Sequence, residues 1–79
     1  MNIREYDIVA LTENVAAQHK QSNLPIILKR GQVGTVLMDF NQEAYLVDFA
    51  DSHGNTYAME TISTNLLMKL IYEPSEVYA

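Results

Sequence analysis

The stretch Gly31-Gln32-Val33-Gly34-Thr35-Val36-Leu37-Met38-Asp39-Phe40, followed after Asn41-Gln42-Glu43 by Ala44-Tyr45-Leu46-Val47-Asp48-Phe49, decides the fold. Both runs are rich in β-branched and aromatic residues, and the polar triplet between them reads as a turn, so the pair predicts a β-hairpin. In the second run Tyr45, Val47 and Phe49 recur at every other position and share one face. Gly34 lies inside the first run, where a glycine marks a bulge, a sharp bend or a close backbone approach.

Reading outward from this hairpin adds three more strands. Ala50-Asp51-Ser52-His53-Gly54-Asn55 is a second hairpin loop, with Gly54 placed for a positive φ, and residues 56–61 form the strand beyond it. Ser63-Thr64-Asn65-Leu66 is a one-turn bridge into a last strand over residues 67–71. Upstream, Tyr6-Asp7-Ile8-Val9-Ala10-Leu11 is the first strand. Residues 12–30 then make a long first loop, in which Thr12-Glu13-Asn14 would cap a brief helical turn through Val15-Ala16-Ala17-Gln18. The loop ends in Leu24-Pro25-Ile26-Ile27-Leu28, whose proline excludes a central strand. Five short strands in sequence predict an all-β meander, and a closed or nearly closed barrel buries one face of it most economically. Its expected core is Val9, Val33, Val36, Val47, Phe49 and Leu67. The barrel domain would occupy residues 1–72 and a tail residues 73–79.

Composition bounds the function. The chain has 79 residues, room for one domain, and no cysteine, so no disulfide holds it. Its two histidines, His19 and His53, lie far apart, and neither a metal nor another cofactor is expected. Packing, helped by oligomerisation where it occurs, must supply the stability. A net charge of −5 opposes phosphate neutralisation and anionic membranes, and suits a basic protein partner. The sequence opens without a basic segment and apolar stretch, and no apolar run approaches the ~20 residues of a membrane span, so the expected location is cytoplasmic with no membrane association.

The order Asp7-Ile8-Val9-Ala10-Leu11-Thr12-Glu13, Gly31-Gln32-Val33-Gly34-Thr35-Val36, Tyr45-Leu46-Val47-Asp48-Phe49 and Asp51-Ser52-His53-Gly54-Asn55-Thr56 resembles the SH3-like and KOW-type small barrels. It is more closely similar to domain-of-unknown-function family 4926, a family of small bacterial proteins, over about residues 6–70. The long first loop with its Leu24–Leu28 run is where the chain departs from that pattern. The resemblance implies a five-stranded SH3-like barrel with a long first loop. Some members resemble partners in toxin–antidote pairs, and the family supplies no catalytic residues.

Three local patterns invite chemistry, and each has an ordinary structural reading beside it. Lys29, Arg30, Gly31 and Gly34 form either a small anion cradle or a turn followed by a bend. Asp48, Asp51 and His53 are an incomplete cation set or the ordinary residues of a hairpin turn. Ser52 beside His53 lacks the oriented base that a nucleophile requires. The Leu24–Leu28 run is the main anomaly: it plugs the end of the barrel, presents an apolar partner surface, or forms a pairing edge strand, where proline is tolerated. The expectation is a non-enzymatic protein-interaction domain, an antidote or accessory subunit, which binds a protein partner or itself through Leu24, Ile26, Ile27, Leu28 and Tyr57. Nucleic acid is not expected as a main ligand. The alternative function is a KOW-like nucleic-acid or ribonucleoprotein binder, using the loops around Lys29, Arg30 and Gly34.

Overall fold

Strict alternation in Ala44–Ala50 builds the centre of the protein: Tyr45, Val47 and Phe49 point inward and are buried, while Leu46 and Asp48 point outward. In the computed structural model, which describes residues 2–72, this is strand β5 of seven. The others are β1 (Ile8–Leu11), β2 (Val15–Gln18), β3 (Pro25–Leu28), β4 (Val33–Phe40), β6 (Thr56–Ser63) and β7 (Leu67–Lys69), with a 3-10 turn over Thr64–Leu66 before the last. They form two antiparallel sheets, one of five strands in the order β6-β5-β4-β1-β7 and one of two, β2-β3. The expected tail at 73–79 lies outside the described residues.

Two expectations are corrected here. The five-stranded sheet ends at β6 and β7, which do not pair, so no closed barrel forms among the described residues. The segment Val15–Gln18, expected as a helical turn, is a strand paired with Pro25–Leu28 in the register Val15↔Leu28, Ala16↔Ile27, Ala17↔Ile26 and Gln18↔Pro25. The second finding explains the first. The hairpin lays Val15, Ala17, Ile26 and Leu28 against the inner face of the sheet, so that face is covered without closure. Ile3, ahead of β1, joins the same core.

Asn14 shows why the helix does not form. Its Oδ1 accepts the Arg30 N–H at 2.8 Å, tying the entrance of the hairpin to its exit in place of capping a helix. At the hairpin tip Asn23 adopts φ 60°, a conformation asparagine tolerates well, and its N–H donates to the His19 carbonyl at 2.8 Å.

Of the expected core, Val9, Val36, Val47, Phe49 and Leu67 are buried, whereas Val33 is 46% exposed. Side chains alternate along a strand, so Val33 and Val36 cannot share a face without an intervening bulge. The β4 bulge falls later, between Val36 and Met38. Gly34 serves a close approach: a Cβ there would lie 2.5 Å from Val47 Cγ1 and 2.9 Å from the Asp48 carbonyl oxygen.

The outward positions are also fixed by register. One row runs Leu70–Ile8–Thr35–Asp48–Met59, with the Leu70 N–H donating to the Ile8 carbonyl at 2.9 Å. Met68–Ala10–Val33 and Met38–Leu46–Thr61 lie on either side of it. At the start of β1, Asp7 accepts the Arg4 N–H and pairs with Lys69 Nζ at 3.3 Å; the first contact more than the second holds its carboxyl below the ordinary value.

Gly34→Ala should destabilise the protein by about 1–3 kcal/mol, because the methyl group meets backbone as well as side chain. Val33→Ala should cost roughly 0.5 kcal/mol or less, as expected at an exposed position. Urea denaturation of both variants checks the pair, and equal losses would contradict the assigned faces.

Candidate functional site

The period of two in Pro25–Leu28 divides the apolar run that the sequence marks as a partner surface. Leu28 is 1% exposed and Ile26 is half-buried, both packed with the core. Leu24 and Ile27 are 64% and 58% exposed. The structure therefore corrects the placement of Leu28: it faces inward, where a partner cannot reach it, and Ile26 lies mostly inward beside it. Ile27 sits opposite exposed Ala16 on β2, and Pro25 and Gln18 continue the same outer side. This outer side of the hairpin is the candidate surface.

Tyr57 on β6, the fifth residue of the expected set, acts mainly as a clamp for that surface. Its carbonyl accepts the Lys20 N–H at 2.8 Å, just after β2. Its hydroxyl accepts from Nε2 of Gln32, the residue before β4 in the turn that follows β3. Gln32 in turn accepts the Lys29 N–H through Oε1 at 2.9 Å and the Leu11 N–H through its carbonyl at 2.9 Å. One residue thus fastens both ends of the hairpin to the five-stranded sheet. Burial, with the Asp51 charge adding to it, pushes the Tyr57 phenol above its ordinary value. Sequence reasoning missed Gln32, since a glutamine in a Lys-Arg-Gly-Gln turn carries no pattern that points across the fold.

Beside the clamp lies an open, polar groove of about 310 Å³, lined by Gln18, His19, Lys20, Asn23, Met59 and Glu60. Glu60 Oε2 accepts the Gln18 N–H at 3.1 Å and so holds β2 beside β6.

The anion cradle does not survive in three dimensions. The four amides of residues 29–32 donate to Gln32 Oε1, Asn14 Oδ1, the Leu11 carbonyl and the Lys29 carbonyl respectively, which leaves none to face a phosphate. Gly34 is buried within β4 rather than in that turn. Asp51 Oδ1 accepts the amides of His53 and Asn55 at 2.8 and 3.0 Å, as an aspartate does in closing its own turn. Among the described residues no three His, Cys, Asp or Glu side chains converge, and no helix is long and apolar enough to cross a membrane.

Tyr57→Phe removes the hydroxyl contact while keeping the ring, and should lower stability by about 1 kcal/mol in thermal melts. A phenol raised in the folded state adds stability that is whole below its unfolded value and is lost as pH rises through the folded one. The variant should therefore lose part of the wild type's sensitivity to alkali above about pH 10. An unchanged melt and an unchanged alkaline limb would remove Tyr57 from its role as clamp.

No curated protein and no solved structure matches the chain significantly. A family model does match, over residues 5–69, a span that contains β1 through β7. The chain therefore belongs to the family described as Domain of unknown function (DUF4926).

Proposed function

We propose that this protein is a non-enzymatic interaction module whose outer hairpin surface docks on a protein partner, in the manner of an antidote or accessory subunit. The observation that carries the reading is the exposure of Leu24, just before β3, and of Ile27 on a strand pair whose inward residues are packed with the core. Large aliphatics on a pre-ordered hairpin bind with little further loss of chain entropy, and Pro25 restricts the backbone beside them. The net charge of −5 favours a basic partner over nucleic acid. An opened SH3-like architecture fits the same reading: the last strand returns beside the first in the order β6-β5-β4-β1-β7, with the extra hairpin inserted after β1.

The KOW-like alternative draws on Lys29 and Arg30, which are both exposed in the turn before β4. Against it stand the engaged amides of that turn and the acidic balance of the chain. Titration with DNA and with RNA at physiological salt should give no affinity beyond the non-specific range; submicromolar binding would favour the alternative.

Two substitutions test the leading reading. Ile27→Ser should leave the melting temperature nearly unchanged and weaken the association of the full chain with itself or with a partner co-purified from the native host. Ile26→Ser should lower stability by about 1–3 kcal/mol through lost burial. If Ile27→Ser leaves every association intact, the hairpin surface is not the contact.

A further inference from the structure

We infer that the outer face of the five-stranded sheet is a second interaction surface, and that it takes a protein segment presenting apolar side chains around one arginine or lysine. An antiparallel sheet with one solvated face alternates apolar with polar residues, and this one does not. The row Leu70–Ile8–Thr35–Asp48–Met59 runs from the residue just past β7 across β1, β4, β5 and β6 with a single charge, at Asp48. On either side of it Val33, Met38 and Met68 are between 46% and 48% exposed. Exposed apolar residues scattered singly are ordinary, but a contiguous set in register across neighbouring strands marks a face that is covered in use. The hairpin cannot cover it, because it packs on the opposite face.

Asp48 identifies the chemistry of the cover. It lies between Thr35 on β4 and Met59 on β6. Thr56 Oγ1 donates to its Oδ1 at 2.7 Å, and among the described residues no donor reaches Oδ2. A purely aliphatic cover would bury that carboxylate without a counter-charge, which is costly. A second copy of the same face brings no cation to it, because the outward rows contain none, and it adds another chain of charge −5. A partner's guanidinium or ammonium completes the carboxylate with a charge-assisted hydrogen bond while neighbouring apolar side chains cover Val33, Met38 and Ile8. Apart from Met59, which also lines the groove beside the hairpin, this surface is separate from the hairpin, and the inference stands or falls without it.

The test is selection of short random peptides from a displayed library on the immobilised full chain, followed by titration of the synthesised winners. Winners are expected to combine aliphatic residues with arginine or lysine and to shift the amide NMR signals of Ile8, Val33 and Asp48. They should bind Asp48→Asn at least about tenfold more weakly. Asparagine keeps an oxygen for Thr56, so the variant's melting temperature should stay that of the wild type. Met38→Ser, at an exposed position, should weaken binding likewise, and Ile27→Ser should leave it unchanged. Absence of enrichment, winners without a cation, equal binding by Asp48→Asn, or signals shifted only in the hairpin would each overturn the inference. So would a wild-type dimer in sedimentation that Met38→Ser dissolves, since the occupant would then be a second copy.

Discussion

The packing of the β2–β3 hairpin onto the inner face of the five-stranded sheet is the contact on which the rest of the protein depends. Among the described residues, a sheet with free edges at β6 and β7 has, beyond Ile3 ahead of β1, no cover from outside itself for Val9, Val36, Tyr45, Val47 and Phe49 except this hairpin. Leu28, fully buried, contributes roughly 1.5–3 kcal/mol by leaving water, and Ala17 and Ile26 extend the seal. Two strands of four residues each would not hold together alone. They are fixed because Tyr57, Glu60 and Gln32 tie them to the larger sheet, while Asn14 joins the entrance of the hairpin to its exit. Cysteine is absent from the chain, so these hydrogen bonds and this burial do what a cross-link does in other small domains.

Much of the architecture is legible in local sequence where one physical rule dominates. Tyr45, Val47 and Phe49 alternate cleanly, and the structure buries all three. The 3-10 turn at Thr64–Leu66 falls within the expected one-turn bridge. The rule fails where two preferences compete. Ala16 and Ala17 favour a helix in isolation, and only the pairing of Val15–Gln18 with a strand of opposite direction overrides that preference. Val33 looks like core because it is a valine next to Gly34, yet its parity on β4 turns it outward. Barrel closure depends on whether two distant edges meet, and that is decided by what else covers the inner face.

The candidate surface was legible in part. Leu24–Leu28 stands out as an apolar run beside a proline, and two of its large aliphatics, Leu24 and Ile27, are exposed. Its division into inward Leu28 and outward Ile27 requires knowing that the segment is a strand. The outer face of the sheet was less visible, since Ile8, Val33, Met38 and Met68 come from three different strands and meet only through register. The two apolar surfaces lie on opposite sides of the core, so engagement of one leaves the other accessible.

Native-state amide hydrogen exchange on the full chain tests the central claim most directly. If the hairpin is a layer of the core, the hydrogen-bonded amides of β2 and β3 should exchange with the same free energy as those of β5, through global unfolding. Hairpin amides that exchange much faster than those of β5, by local opening with the sheet intact, would contradict the account. The inner face would then have to keep its stability uncovered.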